Sequence, residues 1–575
     1  MAMDHSPLSA RVQELVYNVE VGSGLRLIRG SLYILGLLSV MLLFTATHFR
    51  GLKEAEAMEY AQLGRNLLQT HRLQTQVIRP ASIWYLIENS RAHNPQMQAH
   101  PDIIHPPLYP ALLALGFTAV RGSFETATIS GVFTPEQWII VPLGHICTLL
   151  TGLLVFLLGR RLFDPRHGLL AASAFFLSAS VWQLSITGLN LSLTVLLSVA
   201  AWYFAVVTVE RWQGGSAFRR WWLFYLLTLL TVTAGFYTRY SAALLVLPLA
   251  VFIGFAMRRE HGWTRAAVFV GLFLAAISPW LVRNILVSGG PLGLAPYLAL
   301  NDTRLFEGDV FERTLAPVLQ AGRIFDALKV KWLVNFAAFY AQPLRSLGDG
   351  LFISFFLTSF FFQFGRPLVN LLRWCVGLAL LLLLLLAPLN GDSSWRLAAI
   401  FWPFAILYGL AFFMVLLNRM QLTYRLLRQS VIGLFMFLGA LPLLLTLLPP
   451  REGPPYPPYH APFVKHVSNL LKPGEMMCSD MPWATAWYGN RSSLSLPTTL
   501  DDFYEISDSI RHISGLYFTT LTRDKPYVRQ LLTGPYKSWF PVLEGRIPGD
   551  FPLNQGFPLN NMDQLFLTDR TRYNQ

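Results

Sequence analysis

Residues 32–48 read Leu32-Tyr33-Ile34-Leu35-Gly36-Leu37-Leu38-Ser39-Val40-Met41-Leu42-Leu43-Phe44-Thr45-Ala46-Thr47-His48, an apolar run with no acid and no Lys or Arg. Such a run is long enough to cross a bilayer as a helix. Arg11, Arg26 and Arg29 precede it and no small-residue cleavage pattern follows, so the sequence predicts an uncleaved first span and not a removed signal peptide. Similar runs recur at about 138–158, 168–187, 190–209, 221–238, 241–257, 266–283, 350–364, 368–388, 396–417 and 430–449, which makes about eleven spans. Composition agrees: of 575 residues, 53% are hydrophobic and only 13% charged, whereas a soluble domain carries about 25% charged residues. A secreted toxin, a nucleic-acid module, a disordered scaffold and a cytosolic enzyme are excluded as classes. The fold class is thus an all-α polytopic membrane protein.

The net charge of +13 reflects topology, since its arginines recur in every second loop. Arg160, Arg161 and Arg166 form one group, Arg211, Arg219 and Arg220 the next, and Arg258, Arg259 and Arg265 a third; Arg366 and Arg373, then Arg419, Arg425 and Arg428, complete the series. Cytoplasmic loops hold such an excess. The alternation holds only if the apolar stretch 108–120 does not cross, so it reads as a surface or re-entrant helix. With a cytoplasmic N-terminus and an odd number of spans, residues 49–137, 284–349 and everything after about Pro450 share the outer side. Residues 1–449 read as the membrane domain. The stretch from Pro449 to Pro458 reads as a stiff break, and 450–575 as a small α/β domain with strands at 475–479 and 514–520 and a helix at 463–471. Cys147, Cys375 and Cys478 are too scattered for a disulfide framework or a thiolate metal site.

The chemistry-bearing segment follows the first span: Phe49-Arg50-Gly51-Leu52-Lys53-Glu54-Ala55-Glu56-Ala57-Met58-Glu59-Tyr60-Ala61-Gln62-Leu63-Gly64-Arg65-Asn66. Glu56 and Glu59 share one face of a helix. On spacing alone they also fit an exposed amphipathic helix with acids in its first turn, where the macrodipole favours them. Farther on stand His105-Pro106-Pro107-Leu108-Tyr109-Pro110, Thr238-Arg239-Tyr240, Pro279-Trp280-Leu281-Val282-Arg283-Asn284 and Pro482-Trp483-Ala484-Thr485-Ala486-Trp487-Tyr488-Gly489-Asn490-Arg491.

In order and sidedness these landmarks resemble the GT-C glycosyltransferases, specifically the branch of protein O-mannosyltransferases and aminoarabinose transferases (glycosyltransferase family 39-like). The resemblance covers most of the chain and is strongest over 49–290. It implies the GT-C fold and transfer of a sugar, with inversion, from a polyprenyl-phosphate donor to a protein, lipid or glycan acceptor outside the cytoplasm, in a bacterial inner membrane. Glu56 matches the family's catalytic acid and is the expected general base; Glu54 is the rival if the register differs. Glu59 and Arg65 continue the same segment, Glu59 orienting the acceptor or holding an arginine. His105 fills the place of a lysine in aminoarabinose transferases, where a neutral imidazole donates a hydrogen bond without fixed charge; it can equally cap the Pro-Pro turn. Arg239 with its neighbour Tyr240, Arg283 and Arg396 lie at span ends suited to grip phosphate, or else snorkel to headgroups.

One departure concerns Ile186-Thr187-Gly188-Leu189-Asn190-Leu191-Ser192, where many relatives carry a second acid. Asn190 keeps an oxygen but loses the charge, so tight divalent-cation binding is not expected; the expectation is metal-independent action with no cofactor and no nucleic-acid partner. Residues 284–349 read either as a lid over bound lipid or as a solvated linker. Two other classes fit an apolar chain: a lipid or polyprenyl transporter, which places charges at the midplane of interrupted spans, and a non-catalytic cell-envelope scaffold. Here the charges gather at span ends.

Overall fold

The computed structural model describes residues 23–90, 99–120, 124–125, 132–215, 217–341, 350–448, 461–519, 521, 527–559 and 564–572; the proline-rich stretch 449–458 lies outside them. Among the described residues eight helices are long and apolar enough to cross a membrane: Leu27–His48, Glu136–Leu162, Leu191–Gln213, Phe218–Thr238, Gly262–Ser288, Pro367–Leu389, Arg396–Arg419 and Arg425–Leu447. A ninth is the pair Pro165–Phe176 and Ala179–Ile186, bent by 58°. Two expected spans differ. The segment 241–257 is a helical stretch of Tyr240–Ala256, and 350–364 contains the short helix Gly350–Ser359. The described part of that helix, ten residues at 1.5 Å each, accounts for about 15 Å. The stretch 108–120 also forms a short helix, Leu108–Phe117, which packs Leu113 against Gly64 instead of crossing.

Three of the long helices show how the sequence polarises the bundle. Leu191–Gln213 starts after Asn190 and ends near Arg211; Phe218–Thr238 starts near Arg219 and ends at Arg239; Gly262–Ser288 starts near Arg265 and carries Arg283 toward its far end. At the basic end the arginines find partners. Arg161 pairs with Glu210 at 2.8 Å, Arg366 donates to the carbonyl of Arg161 at 2.9 Å, and Arg265 lies over the rings of Trp212 and Trp221. The opposite ends, more than 20 residues and therefore roughly 30 Å away, hold Asn190, Arg239 and Arg283.

Small residues let the helices touch. A Cβ on Gly144 would come within 2.0 Å of the Ser185 carbonyl oxygen, and one on Gly159 within 2.8 Å of the Gly168 Cα; close backbone approach of this kind packs membrane helices without a hydrophobic drive. Where the bent pair breaks, the Trp182 indole N–H donates to the carbonyl of Phe176 at 2.8 Å, satisfying a group the interrupted helix leaves open.

Beyond the bundle stands a six-stranded sheet of order β1-β3-β2-β4-β6-β5. Its strands are β1 (Val77–Ile78), β2 (Met476–Ser479), β3 (Ser492–Ser495), β4 (Ile513–Phe518), β5 (Gln555–Leu559) and β6 (Gln564–Thr568). β1 to β4 pair in parallel; β6 and β5 complete the sheet antiparallel. β2, β4 and the Ala461–Asn469 helix fall where the alternation of apolar residues placed them. β1 is contributed by the loop after the first span, with Val77 opposite Ser493 and Ile78 opposite Leu494. One buried cluster joins Ile78, Ile83 and Ile103 of that loop and Phe311 of the second long loop to Met476, Leu494, Leu516 and Trp539.

Gly144→Ala is expected to destabilise the chain by about 1–3 kcal/mol, because a methyl group forced against backbone cannot be relieved by a rotamer change. Gly271→Ala, where nothing lies within 4 Å, is expected to be neutral. Thermal unfolding of the two variants in detergent checks the difference.

Candidate functional site

The helix Ala55–Thr70 starts seven residues after the first span ends, with Glu54 as its N-cap in extended conformation and Glu56 in its first turn. Every residue from Ala57 to Asn66 is buried, while the Glu56 side chain keeps 36% of its exposure. A carboxylate in the first turn is favoured by the helix dipole, and its partner strengthens this. Arg239 Nη1 donates to Glu56 Oε1 at 3.1 Å and to Asn190 Oδ1 at 2.9 Å. Asn190 is fully buried, and its Nδ2 donates to the Tyr60 hydroxyl and to the Thr238 carbonyl, both at 2.7 Å. The amide thereby uses both donors and its oxygen, and fixes the guanidinium in front of Glu56.

Glu59, one turn along, faces different partners. It binds Arg79 Nη2 at 2.6 Å and His105 Nε2 at 3.3 Å. His105 Nδ1 reaches Asp102 Oδ1 at 3.1 Å, and its backbone N–H donates to Asp102 Oδ2 at 2.9 Å. Arg79 Nε continues to Glu312 Oε2 at 2.5 Å, and Asn301 also donates to Glu312. The result is a chain of alternating charge, Glu312, Arg79, Glu59, His105 and Asp102, linking the two long loops. Burial opposes ionisation of Glu59, but Arg79 and His105 outweigh it and hold its carboxyl down at about 2. Burial likewise opposes the charged imidazole, yet Asp102 and Glu59 outweigh it and lift His105 to about 10. With a carboxylate at each ring nitrogen, both must carry hydrogen. His105 is therefore an imidazolium, and the neutral form expected from sequence is corrected by Asp102, whose part the sequence did not announce.

Arg283 Nη1 donates to the Asp102 carbonyl at 2.9 Å and to Asn284 Oδ1 at 3.0 Å, with its guanidinium over the Trp280 ring. The Trp280 indole donates to the Tyr240 hydroxyl at 2.9 Å. Arg396 pairs with Glu54 at 2.7 Å, and both line a cavity of about 290 Å³ whose walls also include Phe175, Val181, Leu184, Val195 and Trp402. Thus Glu56, Asn190 and Arg239 come together; Glu59 and His105 form a second cluster beside them, with Arg283 and Tyr240 at its edge; Arg396 holds Glu54.

Arg65 goes elsewhere. It is 1% exposed, donates to the carbonyls of Ala486 and Trp487 at 2.6 and 2.7 Å and to Gln76 Oε1 at 2.7 Å, and stacks on the Trp487 ring. The expectation that it faces substrate is corrected: both its Nη groups donate within the sheet region, about two and a half turns down the helix from Glu56. Arg79, Asp102, Tyr60 and Glu136 are contributors that sequence reasoning did not assign. Asp102 carried a faint signal, a His three residues later; Arg79 carried none, because its partners are 20 and 233 residues away.

Among the described residues no three of His, Cys, Asp and Glu group so as to hold a metal ion. Between Glu56 and Asn190, where a cation would need both oxygens, Arg239 already takes them.

This arrangement can be set against known proteins. The family model described as "Dolichyl-phosphate-mannose-protein mannosyltransferase" matches residues 105–282, a stretch holding His105, Asn190, Arg239 and Tyr240. Among solved structures, an oligosaccharyltransferase of Archaeoglobus fulgidus in complex with Zn and sulfate aligns at TM-score 0.54 and 12% identity, over 87% of this chain and 70% of that one. ArnT from Cupriavidus metallidurans, bound to undecaprenyl phosphate, aligns at TM-score 0.53 and 11% identity over 94% and 98%. The fold is that of the GT-C glycosyltransferases. A third GT-C structure, AglB from A. fulgidus with an inhibitory peptide and a dolichol-phosphate, aligns at TM-score 0.53 and 10% identity over 94% and 74%. No curated protein matches the chain.

The buried His105 cluster gives stability a definite pH dependence. The contribution of His105 is complete below about pH 6.5 and is lost as pH rises toward 10, because its folded pKa lies above its ordinary value. That of Glu59 is complete above pH 4.5 and is lost only as pH falls toward 2. The gap in thermal midpoint between wild type and His105→Gln is expected to be widest near pH 6 and to shrink by pH 10. A gap that stays constant over this range counts against the paired imidazolium.

Proposed function

We propose that this chain is an integral-membrane glycosyltransferase that moves a sugar from a polyprenyl-phosphate donor to an acceptor hydroxyl outside the cytoplasm, with inversion at the anomeric carbon. The observation that carries the reading is the half-exposed Glu56 carboxylate, fixed by Arg239 and Asn190 and standing two residues from Glu54, which with Arg396 lines a largely apolar cavity. Glu56 takes the proton as the acceptor oxygen attacks; the new glycosidic bond forms while the bond from the anomeric carbon to the phosphate oxygen breaks, and polyprenyl phosphate leaves with the electron pair. A positioned base contributes roughly 10²- to 10⁴-fold, and cations at the departing phosphate add electrostatic stabilisation. Arg239 and Arg396 are the candidates to meet that phosphate, Arg239 while its Nη1 still holds Glu56 and Asn190, and Arg396 by exchanging Glu54 for it. The likeness to ArnT with undecaprenyl phosphate and to AglB with dolichol-phosphate supports the donor class.

We read the reaction as needing no divalent cation. Asn190 supplies a neutral amide oxygen that already accepts from Arg239, and a guanidinium standing between that oxygen and Glu56 leaves a hard cation neither the charge nor the vacancy it requires. In this reading the site lies on the extracytoplasmic face of a bacterial inner membrane, a sidedness that the alternation of basic loops supports, with membrane lipids around it and a protein, lipid or glycan as acceptor.

Purified protein incubated with a panel of polyprenyl-phosphate sugars is expected to be stabilised by its own donor, by about 2.7 kcal/mol at 100 times the dissociation constant. Glu56→Gln should keep this stabilisation and lose turnover by about 10²-fold or more. Glu54→Gln in parallel tests the rival base: loss of turnover there with Glu56→Gln still active moves the role to Glu54. Absence of stabilisation across the panel favours a non-catalytic scaffold. Transfer unaffected by EDTA is the expected result for metal independence.

A further inference from the structure

Glu136 opens the second long membrane helix and is fully buried. Its Oε2 accepts from the backbone N–H of Leu52 at 3.1 Å, and its Oε1 from the indole N–H of Trp487 at 2.8 Å; the Tyr488 side chain is a further hydrogen-bond neighbour. These are neutral donors, and among the described residues no Lys, Arg or His ion pair to Glu136 is formed. A carboxyl group kept in such a place is costly unless its hydrogen bonds do something an apolar side chain could not.

What it joins is informative. Leu52 lies two residues before Glu54, the N-cap of the helix that bears Glu56 and Glu59. The Leu52 side chain is buried, against the Gly188 that precedes Asn190 by two. Gly51 turns the chain with φ +117°, and a Cβ there would touch Glu136 Oε2 at 3.5 Å; the turn aims the Leu52 N–H at the carboxyl group. Trp487, more than 350 residues away, belongs to the sheet region, with its ring among Phe117, Phe124 and Phe133. The same tryptophan is also met by Arg65 from lower on the Glu56 helix, through its carbonyl and its ring. One helix is therefore fastened at its entry by Glu136 and at its third turn by Arg65, and both fastenings end on Trp487.

We infer that Glu136 is a positioning residue: bridging Leu52 to Trp487, it lets the C-terminal sheet region set the direction in which the first turn of the Ala55–Thr70 helix presents Glu56. The inference rests on Glu56 as the base of the proposed transfer. It assigns the sheet region a part in turnover in addition to any part in binding acceptor. A displacement of about 1 Å at a reacting group can cost about 10²-fold in rate.

Glu136→Gln keeps the size of the side chain but offers one oxygen and one NH₂ to two fixed N–H donors, so one donor must lose its acceptor. Trp487→Phe removes the indole N–H and keeps an aromatic ring. In the full-length protein each variant is expected to lower kcat roughly 10- to 100-fold while KM for the lipid-linked donor moves less than about twofold. The double variant should fall little below the weaker single one, because both cut the same bridge. Independently of activity, backbone amides of residues 50–58 should exchange with deuterium faster in both variants, with the thermal midpoint close to wild type. Unchanged kcat, a loss confined to KM, multiplicative losses in the double variant, or unchanged exchange over 50–58 would each overturn the inference. If wild-type protein transfers no sugar, the proposed function falls by itself and the exchange measurement alone decides the role of Glu136. If one variant does not fold, the other carries both readouts.

Discussion

A carboxylate can remain charged at the end of apolar helices only if the chain brings it a cation that is itself held in place. The Arg239 guanidinium meets this condition: one nitrogen serves both Glu56 and Asn190. Asn190 in turn is fixed by Tyr60 and the Thr238 carbonyl, so three separate segments have to arrive together before the pair exists. The rest of the architecture follows from that requirement. The helices ending near Asn190, Arg239 and Arg283, with the stretch Tyr240–Ala256 returning the chain between the last two, gather these residues at one end and the basic loops at the other, and the loop after the first span folds back over the gathered ends to deliver Glu56.

The second charge cluster has a different task. Glu59 and His105 are both buried and hold each other in their ionised forms with Arg79 and Asp102. Buried ion pairs of this kind add little net stability over an apolar packing of equal volume, but breaking one partner away is severe. Their effect is to register the two long loops against each other through Arg79 and Glu312. The second long loop, left by the sequence as either lid or linker, is in its described part docked on the first loop and on the sheet region; Arg313 donates to the Asp480 carbonyl and accepts from the Thr498 N–H.

How much of this could be read from the letters alone depends on the range of the interaction. Apolar runs report the environment of each residue locally, so most spans, β2, β4 and the non-crossing stretch 108–120 were legible. Length was not: 350–364 reads as apolar as a true span, yet only Gly350–Ser359 is a regular helix among its residues. Glu56, Glu59, Arg239 and His105 were legible as candidates through their motifs. Their pairing was not, since Arg239 lies 183 residues from Glu56 and no local pattern encodes that contact. Arg65 shows the converse. Its position on a helix face beside the acids suggested a shared role, but a buried guanidinium with three carbonyl-type acceptors and an indole ring beneath it is spent on packing.

The outermost strand of the sheet, β1, is drawn from residues made about 400 positions before its neighbour β3. During synthesis the ribosome therefore releases the first outer loop long before the surface it completes exists. Until then Val77 and Ile78 have no partner strand. The sheet's first strand thus waits for its last-made neighbours, and a chain halted before residue 492 leaves that seam unclosed.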